Sequence, residues 1–162
     1  MLGFDYDSSY PDTDPYEPQP GGCCSIWPFF NGDLVELPVT LAQDHTLFEI
    51  LERDDIDVWT QKAAWLAEQG GLVNVIIHPD YMLTSERLGL YERLLRFLRG
   101  LEGGWHALPR EVASWWRVRE GLRIEGEAAA ARVTGPGAER ARLQLAREAA
   151  GAITIAPVAQ PT

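Results

Sequence analysis

One histidine follows directly after an apolar segment that has the composition of a buried strand. The run Val73-Asn74-Val75-Ile76-Ile77 ends at His78, and Pro79-Asp80-Tyr81 comes next. Four apolar residues in five predict a strand covered on both faces, as in a parallel sheet packed between helices. Ligands of such folds bind at the carboxyl ends of the strands. His78 is therefore a candidate for metal binding or general acid catalysis, with Asp80 to orient it, unless it only hydrogen-bonds a loop.

The other two histidines give no complete metal site. His45 and His106 lack the i, i+4 spacing that places two imidazoles on one helix face, and no HExxH or Cys-His cluster occurs. We assign no metal ligand in this chain. Cys23 and Cys24 are adjacent, which is poor geometry for a mutual disulfide, so we expect buried thiols in a reducing compartment.

Acidic residues are concentrated near the start of the chain. Residues 1–57 hold 13 acidic side chains and one basic side chain, and the whole chain carries a net charge of -10. This balance argues against a nucleic-acid partner. The group Asp5, Asp7, Asp12 and Asp14 could ligate a hard cation, but its spacing is not that of an EF-hand, and turns or solvent contact are the favoured explanation. No apolar run reaches membrane-spanning length and no signal peptide begins the chain as given, which we therefore treat as cytoplasmic.

Strands and a long loop are predicted in the first part of the chain. Residues 1–7 alternate apolar and polar side chains, as a short strand does, and residues 33–39 predict the next strand, which ends near Pro38. Between them, residues 8–32 are rich in proline and glycine and predict a long loop. Trp27, Phe29 and Phe30 indicate that its end folds back and packs. Asp44 is a plausible N-cap for a helical stretch that begins beside it.

Three longer helices are predicted further along. Asp55 or Asp57 caps a helix that ends at Gly70-Gly71. Thr84 or Ser85 caps the next helix, with one apolar face, and Gly103-Gly104 ends it. A short strand over 105–108 precedes a helix that begins at Pro109. The apolar face of the second helix is predicted to contain Leu88, Tyr91, Leu94, Leu95, Leu98 and Leu101. Alternating strands and helices predict an α/β fold with a parallel sheet.

The chain changes character from Leu122 onward. Short alternating segments broken by glycines predict a small, mostly β appendage over residues 122–162. A helix over 138–150 is the alternative, because its residues are good helix formers. Trp115 and Trp116 cannot both face one core, so one of them is expected to lie against an interface or the appendage.

Four segments in order resemble the later part of polysaccharide deacetylases with NodB homology, which form carbohydrate esterase family four. They cover roughly residues 1–120 and match that family's strand motifs and its strand-end histidine. The segments are Gly3-Phe4-Asp5-Tyr6-Asp7-Ser8-Ser9, Leu34-Val35-Glu36-Leu37-Pro38, Ile76-Ile77-His78-Pro79-Asp80 and Trp105-His106-Ala107-Leu108-Pro109-Arg110-Glu111-Val112.

The resemblance implies a fold and a chemistry for this chain. Residues 1–121, with loop 8–32, would form the carboxyl half of a distorted (β/α) barrel, and His78 would be the general acid. The family uses a divalent metal such as zinc, bound by a Thr-Phe-Asp-Asp-type motif and a His-x-x-x-His motif, and neither motif occurs here. The resemblance thus implies a glycan N-deacetylase fragment that is inactive alone and whose exposed barrel edge favours self-association.

Several residues remain candidates for contact with a carbohydrate substrate. They are Tyr6, Asp7, Trp27 and Asp44, and an exposed tryptophan ring suits stacking on a sugar. The alternative function is a non-catalytic α/β domain that binds a glycan or a protein partner through the acidic, aromatic loop over residues 10–32.

Overall fold

A small mixed sheet forms the beginning of the fold. The computed structural model describes residues 3–12 and 22–158. Strand β1 (Tyr6–Asp7) pairs in parallel with β3 (Leu34–Glu36), and β2 (Phe29–Asn31) pairs antiparallel with β3, giving the order β1-β3-β2. Gly32, with φ of +61°, opens the two-residue turn between β2 and β3, a conformation that suits glycine. The loop end at residues 27–30 therefore does fold back, as predicted.

Three helices begin where their sequences predict, but the second of them ends at Arg99, before the predicted stop at Gly103-Gly104. Helix α1 (Asp57–Glu68) begins where the Asp55 carboxylate accepts a hydrogen bond from the Asp57 N–H, and it ends at Gly70 with φ of +64°. Helix α2 (Ser85–Arg99) is capped by Thr84, whose hydroxyl accepts from the Arg87 N–H. Helix α3 (Pro109–Glu120) begins at its proline.

The hydrophobic core lies between helices α1 and α2 and a short helical turn. The π-helical turn Thr46–Ile50 supplies Leu47 and Phe48, and the Phe48 ring meets the Trp59 ring edge-on at 5.7 Å. Trp59 is fully buried, and its indole N–H donates to the Ala42 carbonyl over 2.6 Å. A buried indole has a large apolar contact area, and the hydrogen bond of its N–H compensates for the loss of water at that group.

Most of the predicted apolar face of helix α2 packs against the core. Leu94 is fully buried, and Tyr91, Leu98 and Leu101 are partly buried against the core residues. Leu90 and Leu94 are its buried residues, whereas Leu88 and Leu95 are about half exposed. The prediction is therefore wrong only for Leu88 and Leu95, and it missed Leu90. The apolar residues of α2 cover more than one helix face, and only tertiary contact with the core selects the ones that are buried.

Two predicted strands are wrong. Residues 71–78 and 105–108 belong to no strand. The first segment is fixed through Thr40, because the Thr40 and Leu41 N–H groups donate to the Asn74 carbonyl. The second segment is largely exposed. An apolar sequence indicates only that a segment can pair, whereas a strand also needs a continuous ladder of main-chain hydrogen bonds to a neighbouring strand. Among the described residues, the first segment makes isolated main-chain bonds and the second segment pairs with no strand.

The described residues form no closed barrel. The chain divides into two compact units, Met1–Ala113 and Ser114–Thr162, with the boundary inside α3. Within the described residues the fold is a mixture of helix and sheet, and the parallel pairing of β1 with β3 falls short of the predicted parallel sheet.

The second unit contains two antiparallel hairpins. Strand β4 (Arg123–Glu125) pairs with β5 (Arg132–Thr134), and β6 (Gln144–Ala149) pairs with β7 (Ala152–Pro157). The prediction of a mostly β appendage is confirmed. The alternative helix over 138–150 is wrong, apart from a single 3-10 turn at Ala138–Arg140. Trp115 packs against Gly137 of this unit, as expected for one of the two adjacent tryptophans.

The prediction of buried cysteines is only partly right. Cys23 is partly buried and Cys24 is exposed, in a left-handed conformation with φ of +56°. Burial raises the pKa of the Cys23 thiol, and the negative charges of Asp12 and Glu36 act in the same direction.

In the acidic group, Asp12 forms a 2.9 Å ion pair with Lys62, and Asp14 lies outside the described residues.

Candidate functional site

A buried carboxylate holds the strand-end histidine. Asp44 Oδ1 lies 2.6 Å from His78 Nδ1, and Asp44 Oδ2 accepts a hydrogen bond from the His78 backbone N–H. The His45 N–H donates to Asp44 Oδ1 over 2.9 Å. The Asp44 side chain is completely buried, whereas the His78 side chain is 44% exposed. The arrangement thus has an inaccessible anion behind an imidazole that solvent and solutes can reach.

Two aromatic contacts define the surroundings of the imidazole. The Tyr81 ring meets the His78 ring edge-on, with 5.7 Å between centroids, and the His45 ring lies 5.5 Å from Tyr81 on a tilted plane. Tyr81 belongs to the 3-10 turn Pro79–Tyr81, which is closed by a hydrogen bond from the Tyr81 N–H to the His78 carbonyl. The turn after His78 therefore packs an aromatic ring against the histidine.

The segment before His78 is held by a network around Asn74. The Asn74 side-chain N–H₂ group lies within hydrogen-bond distance of the Ser8 hydroxyl at 2.9 Å and of the Leu37 and Pro38 carbonyls at 3.2 Å each. The Asn74 N–H donates to the Thr40 hydroxyl over 2.9 Å. These bonds connect the extended segment to the end of β3. They fix the chain four residues before His78.

Backbone contacts bring the two members of the pair together. The Asp44 N–H donates to the Ile76 carbonyl over 3.4 Å, two residues before His78. Asp44 was predicted as a helix N-cap, but its carboxylate is hydrogen-bonded to His78. The helical turn that follows has no side-chain cap. The N-cap prediction is wrong, because a long-range hydrogen bond competes for the same oxygen atoms.

The other sequence candidates lie elsewhere. Asp80 is exposed, and the carboxylate contact that we expected from it is made by Asp44. Asp7 accepts hydrogen bonds from the Ser8 N–H and the Ser9 hydroxyl, next to the partly exposed Tyr6. The Trp27 indole N–H donates to the Gly70 carbonyl, and the ring is 46% exposed. Substrate contact by Tyr6, Asp7, Trp27 and Asp44 stays a prediction.

One buried glutamate was not predicted as a site residue. Glu36 of β3 is fully buried, and its Oε1 accepts hydrogen bonds from the Ser9 N–H at 2.8 Å and the Tyr10 N–H at 3.0 Å. Its Oε2 has no hydrogen-bond partner among the described residues. A charged residue between Val35 and Leu37 in a buried strand was the signal. Glu36 connects the chain after β1 to β3.

The described residues do not provide the metal site that the resemblance implies. Across residues 3–12 and 22–158, no three His, Cys, Asp or Glu side chains converge to hold a metal ion. The carboxylate of the pair is completely buried and already accepts three N–H groups. These side chains therefore do not fit a divalent metal. The Asp44–His78 pair is the part of the site that has a recognisable chemistry.

Proton transfer is the chemistry that the pair can perform. A carboxylate at Nδ1 selects the tautomer with hydrogen at that nitrogen, and it is placed to stabilise the positive charge of the protonated ring. Nε2 is then the ring nitrogen that is left able to exchange a proton with a bound molecule. The same arrangement of a buried acid and an exposed imidazole serves general acid and general base catalysis.

No protein-family model, curated protein or solved structure matches this chain. None of the helices in the described part of the chain combines the length and the apolar composition needed to cross a bilayer.

Proposed function

We propose that this chain is part of a polysaccharide deacetylase-like hydrolase, which removes N-acetyl groups from a glycan, and that His78 is its general acid. The observation that carries the proposal is the Asp44–His78 pair, with a completely buried carboxylate 2.6 Å from the ring of a half-exposed histidine. The motif resemblance singles out the same histidine among the three in the chain.

The pair supports this chemistry through the protonation state of the ring. In amide hydrolysis the C–N bond breaks, and the departing nitrogen must gain a proton to leave as an amine. An imidazolium whose Nδ1–H is bonded to Asp44 presents the Nε2 proton to that nitrogen. After transfer, the neutral ring keeps its Nδ1–H bond, so the ring stays oriented for the next cycle.

The metal-binding part of the site is proposed to come from a separate segment. In the family that this chain resembles, a divalent metal such as zinc supplies the activated water, and the described residues contain no group that fits it. Residues 71–78 and 105–108 have strand-like sequences but no strand partners among the described residues. This supports a half barrel whose remaining strands are contributed by another polypeptide segment.

The experiment combines this chain with the missing half. We expect the chain alone, with zinc, cobalt or manganese, to release no acetate from an acetylated chitooligosaccharide. Fused to an amino-terminal deacetylase half that carries the Asp-Asp and His-x-x-x-His motifs, it should release acetate. In that fusion His78→Ala should lower kcat by ~10²–10⁴ with little change in KM, because proton transfer develops only in the transition state.

Matched variants separate the acid from its neighbours. His106→Gln, at an exposed histidine, and His45→Gln should keep turnover near that of the parent, and Asp80→Asn should cost less than His78→Ala. Acetate release by the chain alone, abolished by a chelator, would contradict the half-barrel proposal. Turnover in the His78→Ala fusion within a few-fold of the parent would contradict the general acid assignment.

A non-catalytic glycan-binding domain is the second candidate. The observation that favours it is Trp27, whose ring is 46% exposed while its N–H is fixed on the Gly70 carbonyl, as in a platform for a sugar ring. Binding of chitooligosaccharide by the chain alone, lost in Trp27→Ala and kept in His78→Ala, would select this candidate.

A further inference from the structure

A cavity in the second unit has a strongly cationic lining. Its volume is about 400 Å³, and four of its lining residues are arginines, namely Arg119, Arg123, Arg140 and Arg142. Among the described residues, no aspartate or glutamate belongs to this lining. The chain as a whole carries a net charge of -10, so this concentration of positive charge runs against the overall balance.

Two of the guanidinium groups are held by tryptophan rings. Arg140 lies over the Trp115 ring at 5.6 Å from its centroid, and Arg119 lies over the Trp116 ring at 4.4 Å. A cation over an aromatic face keeps its charge, and the N–H groups at its edge stay able to donate. The adjacent tryptophans thus orient two arginines without neutralising them.

The main chain around the cavity supports this arrangement. Gly137 has φ of +80°, and a Cβ there would lie 3.1 Å from the Trp115 ring, so glycine allows the ring and the backbone to come close together. Arg123 Nη1 donates to the Glu120 and Leu122 carbonyls at 2.7 and 2.8 Å. Its positive charge is bonded to neutral acceptors and is not cancelled.

The acidic residues of the hairpin region neutralise little of this charge. Glu125 is bonded to Arg132 and Thr134, which lowers its carboxyl pKa, and Arg132 is not part of the lining. Glu139 approaches Arg140 to 3.5 Å, but both side chains are more than 70% exposed, where an ion pair is worth little.

Apolar side chains complete the lining. Leu122, Ile124, Val133 and Leu143 line the same cavity, with Trp115 at its wall. A volume of about 400 Å³ is within the range of small-molecule sites, which combine an apolar surface with a few placed polar groups. The lining therefore suits a ligand that has both a negative group and a carbon skeleton.

We propose that this cavity binds a small organic anion, with a carboxylate or phosphate held by the arginines and the carbon skeleton against the apolar residues. Guanidinium groups match both oxyanions in bidentate geometry. The proposal rests on residues of the second unit alone and is independent of His78.

The test is a calorimetric titration of the full chain at low ionic strength. The probes are glucose 6-phosphate, trigalacturonate, inorganic phosphate and the neutral sugar maltotriose. We expect glucose 6-phosphate or trigalacturonate to bind and maltotriose not to bind, and the tighter of the two anions identifies the group as phosphate or carboxylate. Arg140→Gln and Arg142→Gln should each weaken that binding by about tenfold.

Arg147→Gln is the matched control, because Arg147 is an exposed arginine of β6 outside the lining. It removes the same charge from the same unit and should leave binding nearly unchanged. Failure of both organic anions to bind, or an equal loss in Arg147→Gln, would overturn the proposal. Inorganic phosphate binding as tightly as glucose 6-phosphate would overturn the role assigned to the apolar residues.

Discussion

Asp44 makes the hydrogen bonds that hold the candidate site together. Its two oxygens accept hydrogen bonds from the His78 ring, the His78 backbone N–H and the His45 backbone N–H. One side chain therefore fixes both the position and the tautomer of the imidazole. A buried carboxylate is tolerated only when its hydrogen-bonding capacity is used in this way. In the proposed mechanism, Asp44 is the residue that orients the exposed histidine as a proton donor.

Removal of Asp44 should cost stability as well as orientation. In Asp44→Ala, two backbone N–H groups lose their acceptor at a buried site, and we expect the free energy of unfolding to fall by about 3 kcal/mol. Urea denaturation measures this change. Asp80→Ala, at an exposed aspartate two residues after His78, should stay within about 0.5 kcal/mol of the parent. Equal losses in the two variants would show that Asp44 has no special structural role.

At the scale of elements, the extended segment 71–78 takes the place of a predicted strand. It has the apolar composition of a strand. Its main-chain hydrogen bonds, however, go to the Thr40 hydroxyl, to a loop and to isolated backbone groups. Asn74 is the centre of this arrangement, because its side chain reaches Ser8 and the chain after β3. The position of His78 therefore depends on an amide side chain in place of a ladder of strand hydrogen bonds.

Asn74→Ala should loosen this segment. We expect a loss of about 2 kcal/mol in the free energy of unfolding, because three oxygen acceptors lose the amide donor. Hydrogen exchange at the amides of residues 72–78 should also become faster. Asn31→Ala, the same substitution at an exposed position of β2, should leave both quantities unchanged. Normal exchange in Asn74→Ala would contradict the role that we assign to the side chain.

At the scale of the whole molecule, large apolar side chains remain on the surface. Phe4, Trp105 and Leu108 are 69, 59 and 48% exposed in the first unit, and Ile153 and Ile155 of β7 are 73 and 65% exposed in the second. Within the described sheet, β1 and β2 are edge strands. Unpaired edges and exposed apolar groups favour association with other chains.

Purified chain should therefore self-associate. We expect sedimentation to show species larger than a monomer and a hydrophobic dye to bind strongly, because the apolar surface has no cover. Fusion to the amino-terminal half used in the activity experiment should reduce both signals. A monodisperse monomer with weak dye binding and a sharp, cooperative melt would count against the half-barrel proposal.

The elements whose formation depends on neighbouring residues were predictable from the amino-acid sequence. The Thr84 cap, the Gly70 end of α1, the start of α3 at Pro109 and the hairpins of the second unit all follow from local backbone preferences. The sequence also placed His78 at the end of an apolar segment, which is where the candidate site lies.

The side chain that contacts that histidine could be identified only in the folded protein. Asp44 lies 34 residues from His78 along the chain, and its local signal was that of a helix cap. The segments 71–78 and 105–108 have strand-like sequences but pair with no strand among the described residues, and the pattern could not reveal this. Pairing of strands and of distant side chains depends on which surfaces meet in three dimensions, and a single sequence encodes that only through the complete fold.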